Sequence, residues 1–328
     1  MGVVLMARVR ILLLFALLCL LFTAGAGEAQ KITFSYSSLI GTQSPLWIAN
    51  DVGFFKKHRM DVNVVYIPGG KSVVEGMLAG NIQIAIAAPA AVLRANLGGS
   101  DFVYIGALSN SVDFVVITRD GIKSVQELRG KKIAIGNFGS GTDYAGRLVF
   151  DKLGMQVGKD IIFTQSLGGQ PTRLAMLQSG TVDGVVLSPP FTLRAQQLGF
   201  RPVLDFSSVI PHYFSLGYFT RRSYIRDNPR VVENSLKGLL DATRYVWSNA
   251  DGTIKILSRH LQISDEAFVK SYYRDVLLAQ LDRDLYPDEK GVDLFLKQER
   301  AANPGAGKIK SGDFIDTSIL DKLRKEGY

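Results

Sequence analysis

The chain is poor in the residues that carry covalent and metal chemistry. It has one cysteine, three histidines and two tryptophans among 328 residues. A single cysteine cannot close a disulfide within the chain. The fold must therefore be held by its apolar core, which a chain of this length can bury. That cysteine, Cys19, lies in an apolar run behind Leu18, where a lipid-attachment site would want a small residue. His58, His212 and His260 are far apart, and none has a second histidine or a cysteine at metal-ligand spacing. No metal and no cofactor are expected. His58, in the run Lys56-Lys57-His58-Arg59, reads as a solvated surface residue, and His212 as structural or exposed. A G-x-S-x-G elbow is missing, because Phe138 precedes Gly139. A dinucleotide fingerprint fails at Tyr144, where a glycine is needed. Gly70-Lys71-Ser72 imitates the end of a phosphate-binding loop, but Val65 stands where its first glycine belongs, so a tight turn is expected there. The net charge of +8 is scattered over short pairs such as Lys56-Lys57, Lys131-Lys132 and Arg221-Arg222. With no basic stripe, nucleic acid is not an expected partner.

The composition, 47% hydrophobic, is that of a folded globular chain, and the length suggests about two domains. Residues 1–26 stand apart. Arg8 and Arg10 precede an apolar run over 11–22, and small residues follow at 23–27. This is the pattern of a secretory signal, with cleavage expected after Ala26 or Ala29. The run is about 12 residues, too short for the roughly 20 that cross a membrane as a helix. An exported protein without a lipid anchor is expected in a periplasm.

What the sequence does contain is an internal repeat of about a hundred residues. In the first unit a strand over 31–36 leads to a turn, and a second strand over 62–67 ends at Pro68-Gly69-Gly70. A helix over 71–79 stops at Gly80, and a strand over 82–87 ends at Ala88-Pro89. The second unit repeats the order. A strand over 131–135 leads to the turn 136–142 and a helix over 143–153, and a strand over 161–164 leads to Gly168-Gly169. A helix over 171–179 stops at Gly180, and a strand over 182–187 ends at Ser188-Pro189-Pro190. Gly80 matches Gly180, each a candidate helix C-cap, and Pro89 matches Pro189. Strands alternating with helices predict two α/β lobes with parallel sheets. Each unit also ends in a strand-like run finishing in Thr-Arg, 113–119 and 215–221, which are candidates for the segments passing between lobes.

After Ser223 the pattern becomes helical. Asn228-Pro229 starts a helix with apolar Val232, Leu236, Leu239 and Leu240 on one face. Further helices are expected over 264–280, 287–300 and 318–325, with a turn at 303–307.

Parallel α/β lobes bind ligands at the carboxyl ends of their strands. Those loops are 37–44, 68–72 and 87–89 in one unit, and 136–142, 168–172 and 187–191 in the other. They are rich in Gly, Ser and Thr, which offer hydroxyls and backbone N–H groups to an oxyanion. The loop Gly139-Ser140-Gly141-Thr142 is the best single cradle, with Ser140 and Thr142 expected to grip a polar or anionic end of a solute.

The run Ser44-Pro-Leu-Trp-Ile-Ala49, with Gly53-Phe-Phe-Lys56 and Met60-Asp-Val62, resembles the opening of substrate-binding proteins of nitrate, sulfonate, taurine and thiamine-precursor importers. Residues 173–180, Val182-Asp183, Ser188-Pro-Pro-Phe191 and Asp313-Phe-Ile-Asp316 extend the likeness over the rest of the chain. The resemblance implies a type II periplasmic-binding-protein fold, with two parallel-sheet α/β lobes, two crossover strands and C-terminal helices. Lobe 1 would comprise 27–112 and 221–328, and lobe 2 would comprise 113–220. It implies no catalysis, capture of a small-molecule ligand by lobe closure, and delivery by a monomer to an ABC permease at the inner membrane. Carried over by position, the cleft would be lined by Ser38, Gln43, Ala88, Pro89, Asn137, Ser140, Gly141, Thr142, Ser188 and Phe191. Only Arg173, on a helix start, offers an arginine near these loops. Two alternatives remain, an enzyme like the thiamine-pyrimidine synthases and a sensor for a membrane receptor. The ligand stays open among sulfonate, nitrate, a pyrimidine and an aromatic acid.

Overall fold

The structure, a computed structural model, describes residues 31–302, Gly307 and 309–328. The signal segment expected over 1–26 lies outside the described residues, as does most of the turn expected at 303–307.

Ten strands form two five-stranded sheets with the same internal order. The first contains β1 (Lys31–Tyr36), β2 (Asp61–Tyr66), β3 (Ile84–Ala87), β4 (Phe102–Ser109) and β10 (Leu216–Arg221), ordered β2-β1-β3-β10-β4. The second contains β5 (Val115–Thr118), β6 (Lys132–Ile135), β7 (Ile162–Gln165), β8 (Gly184–Leu187) and β9 (Arg201–Asp205), ordered β7-β6-β8-β5-β9. The hundred-residue repeat is thus a repeat of topology: β6, β7, β8 and β9 take the places of β1, β2, β3 and β4.

The sheets are mixed, where all-parallel sheets were expected. β10 runs antiparallel to both β3 and β4, and β5 runs antiparallel to both β8 and β9. These two strands are the Thr-Arg runs. Each enters a sheet from the other unit, so it arrives at the opposite end and must run the other way. The expected division after residue 220 cuts β10 before its last residue, whereas residues 216–221 all pair in the first sheet.

Helices cover the faces: α1 (Ser44–Ile48), α2 (Gly70–Leu78), α3 (Pro89–Leu97), α4 (Gly141–Lys152), α5 (Gly169–Gln178) and α6 (Phe191–Gln197). The ends of α2 and α5 are chemically the same. Gly80 and Gly180 take φ of +79° and +72°, which a Cβ would strain. The Gly80 and Asn81 N–H groups bond Met77 and Gly76 carbonyls, and the Gly180 and Thr181 N–H groups bond Leu177 and Met176 carbonyls. Both are Schellman caps, which satisfy carbonyls that would otherwise lack partners.

α7 (Pro229–Ser248) buries Val232, Leu236, Leu239, Ala242, Thr243 and Val246, an i, i+3/i+4 stripe that packs on the first lobe beside Trp47 and Phe55. Each valine or leucine among them contributes about 1.5–3 kcal/mol on full burial. α8 (Ala250–Leu261), α9 (Glu266–Tyr272), α10 (Glu289–Ala302) and α11 (Ser318–Lys325) complete the C-terminal region. A second core cluster runs from Tyr104, Phe214 and Phe219 into Val116, Phe150 and Phe206, and so joins the two lobes. The histidines have structural partners. His58 is not solvated surface: its Nε2 lies 2.9 Å from Asp241 Oδ2 and 2.8 Å from the Tyr328 hydroxyl, pinning the last residue. His260 stacks on Trp47 and bonds Asp51 at 2.7 Å, and His212 is an exposed neighbour of Asp288. No helix among the described residues is long and apolar enough to cross a membrane.

Candidate functional site

The order reverses beside β1 in the first sheet and beside β6 in the second, and such reversal points open a crevice at the carboxyl ends of the strands. The two crevices face each other across a cavity of about 90 Å³, walled by loops of both lobes and by the crossing segments. Seven of the residues expected in the cleft stand on this wall: Ser38, Ala88, Asn137, Ser140, Gly141, Thr142 and Ser188. Gln43, Pro89 and Phe191 do not. Gln43 is fully buried behind the wall, and its Nε2 donates to Ser38 Oγ at 3.2 Å, so it orients a wall residue instead. Pro89 opens α3 with its ring buried, and Phe191 belongs to an apolar cluster with Leu174, Leu177 and Leu187.

The lobes touch at the cavity rim. A Cβ built on Gly69, whose φ is +85°, would lie 2.9 Å from Asn137 Nδ2. One built on Gly141 would lie 2.7 Å from Ala88 Cβ. Tyr66, at the end of β2, brings its hydroxyl as close to the backbone of Gly169 in the second lobe, 2.8 Å from a Cβ built there. An added Cβ would press on the Ala88 methyl at Gly141, and on the ends of the Asn137 and Tyr66 side chains at Gly69 and Gly169, both of which also have positive φ.

The loop before α4 is held by its own hydroxyls. Thr142 Oγ1 accepts from the Gly136 N–H at 2.8 Å and shares a 3.0 Å hydrogen bond with Ser140 Oγ. The Gly139 N–H donates to Asp143 Oδ2 at 2.8 Å, and Asp143 in turn accepts from Arg147. Opposite, the Gln170 Oε1 accepts from the Ser188 N–H at 2.8 Å and fixes the loop after β8.

Two charged residues complete the wall. Arg173, on α5, is only 6% exposed. Its Nε donates to the Val186 carbonyl at 2.9 Å, and no carboxylate pairs with it among the described residues. Burial lowers its pKa to about 10, and the neighbouring Tyr66 hydroxyl opposes that shift. Asp113 stands between β4 and β5, where the chain leaves the first sheet for the second. Burial pushes its carboxyl up to about 7; its own backbone N–H opposes this and the charge of Asp205 adds to it. Sequence reasoning missed Asp113, Tyr66 and Gln170 and gave Arg173 no role. Each had a signal, for Asp113 opens the crossing run, Tyr66 ends a strand, and Gln170 and Arg173 follow Gly168-Gly169 at a helix start.

Residues 25–259 match the sequence model of the NMT1-like family. The chain belongs to the NMT1-like family. The match spans both sheets and the walls of the cavity, and it ends within α8. A relative from Brucella abortus, named as a binding protein, is 25% identical over 222 residues, 66% of this chain and 67% of its own length. Among solved structures, a Bordetella bronchiseptica protein aligns with a TM-score of 0.81 at 19% identity, over 92% of this chain and 98% of its own. The alkanesulfonate-binding protein SsuA of Xanthomonas axonopodis pv. citri, solved with MOPS bound, aligns with a TM-score of 0.72 at 18% identity, over 87% and 96%. This NMT1-like chain therefore has the periplasmic-binding-protein fold. No group of three or more metal-ligating side chains occurs among the described residues.

Proposed function

We propose that this protein is the exported solute-binding component of an ABC importer, and that it captures a small polar anion between its lobes. The observation that carries the reading is Arg173. A guanidinium buried without a counter-ion is costly unless a ligand brings one. Arginine offers a planar fork of donors that suits carboxylate, sulfonate or phosphate oxygens. The hydroxyls of Ser38, Ser140 and Ser188, with the N–H groups at the start of α4, add further donors around the same cavity. The cavity is smaller than the ~150 Å³ void that accepts benzene, which favours a compact solute. Release of the solute to a permease then needs the rim contacts at Gly69, Gly141 and Gly169 to part, by hinge motion of 113–220 against the rest of the chain. Cleavage of residues 1–26 and export to a periplasm complete this reading.

The test is calorimetry on purified protein, stripped of solute by unfolding and refolding, against carboxylates, sulfonates, phosphate and nitrate. At least one anion should bind, and Arg173→Gln should weaken it by about a hundredfold while leaving the fold intact. Equal affinity in wild type and Arg173→Gln would refute the assignment.

A further inference from the structure

The cavity wall holds a second charge that an anion alone would not use. Asp113 is half-buried, faces the cavity, and among the described residues accepts no hydrogen bond or ion pair from another side chain. Among the described residues, the groups around it form no such bond with it. Tyr272, on α9, accepts through its hydroxyl from the Gly41 N–H at 2.9 Å. Asp205, at the end of β9, is a like charge, occupied by the Ser207 N–H and hydroxyl. Arg173 shares the cavity but forms no ion pair with it, being fastened to the Val186 carbonyl.

A carboxylate and a guanidinium thus wall one cavity of about 90 Å³ without neutralising each other. Wherever Asp113 is ionised it repels the anion that Arg173 attracts, so a plain anion is then a poor fit. Both charges are satisfied together only by a ligand that carries both complements. We infer that the solute is a small zwitterion, with its oxyanion on Arg173 and a protonated nitrogen on Asp113. The inference rests on the binding reading above and adds the second pole of the ligand. The cavity of about 90 Å³ admits only a compact ligand, with a few carbons between its poles.

The empty site has a matching behaviour. Burial holds the Asp113 carboxyl largely protonated until about pH 7. An incoming ammonium favours the charged form, so binding expels a proton and tightens as pH rises from about 6 to 8. Tyr66 and Tyr272, with pKa values raised by burial, and Arg173, at about 10, keep their charge states across this range.

The experiment pairs ω-amino carboxylates and ω-amino sulfonates of two to four carbons with their des-amino partners. Binding is measured by calorimetry at pH 6 and pH 8, in buffers of different ionisation enthalpy. At least one amino compound should bind about tenfold tighter than its des-amino partner, with proton release. Asp113→Asn should reduce that preference to about threefold or less and abolish the proton release. Des-amino partners that bind as well as the amino compounds would overturn the inference and leave the anion reading standing. Binding of neither series would overturn the inference, while the anion reading then stands or falls on phosphate, nitrate and the other anions named above. A preference that survives in Asp113→Asn would also overturn the inference.

Discussion

Asp113 makes the stability of the empty protein depend on pH in an unusual direction. Its folded-state pKa, about 7, lies above the ordinary value of 3.8. The folded protein therefore holds a proton that the unfolded chain has already lost between these pH values. Stability contributed by the neutral carboxyl is complete below about pH 4 and is lost as pH rises towards 7. The difference of about three pKa units corresponds to about 4 kcal/mol at 1.4 kcal/mol per unit, and water at the cleft mouth reduces this towards about 2 kcal/mol. Asp113→Asn keeps the shape and removes the ionisation. Urea unfolding of solute-free wild type and variant at pH 4.5, 6 and 8 isolates the effect, because every other group cancels in the difference. Asp101, Asp183 and Asp241, whose pKa values are lowered because their cationic and hydrogen-bonding partners together outweigh burial, act at lower pH in any case. The variant should match wild type or fall slightly below it at pH 4.5, and exceed it by about 2–4 kcal/mol at pH 8. A difference that is the same at all three pH values would refute the reasoning, because it would show that Asp113 is charged throughout.

Two further perturbations test the geometry of the cleft. Gly69→Ala and Gly80→Ala place a Cβ on backbone with nearly the same positive φ, but only Gly69 faces another lobe. Both should lose about 1 kcal/mol of stability, while only Gly69→Ala should weaken solute binding, by about tenfold in calorimetry; equal affinities would mean that Gly69 and Asn137 need not meet in the bound state. Ser140→Ala/Thr142→Ala removes the acceptor of the Gly136 N–H as well as two cavity hydroxyls. The melting temperature should fall, by about 1–3 kcal/mol of stability, together with the affinity; unchanged affinity would remove this loop from the binding reading.

The architecture was legible because the chain writes it twice. Gly80 and Gly180 mark the same helix end, and the same pair of cap hydrogen bonds forms at each. A single glycine would have carried little weight, but a glycine recurring at the same place in an ordered succession of elements does. The direction of β5 and β10 was not legible. Direction depends on which lobe a strand comes from, and that is a property of the closed topology, not of the residues in the strand.

The site divides along the same line. Loop membership was readable, so seven expected residues stand on the cavity wall. Which way a side chain points within a loop was not. Gln43 and Phe191 turn inward, one to hold Ser38 and the other into an apolar cluster. Asp113 escaped for a different reason. In sequence, a carboxylate before an apolar strand looks like ordinary surface punctuation. Its character comes from what the fold withholds from it: among the described residues no cation pairs with it, Asp205 is a like charge, and the Tyr272 hydroxyl, which accepts from Gly41, forms no hydrogen bond with it. A charge whose partners are all absent can be recognised only after every neighbouring element is in place. The same holds for Arg173. The two residues that decide what this cavity accepts are therefore those whose role depends most on the assembled fold, because a binding site for a charged solute is a set of charges that the protein leaves unpaired.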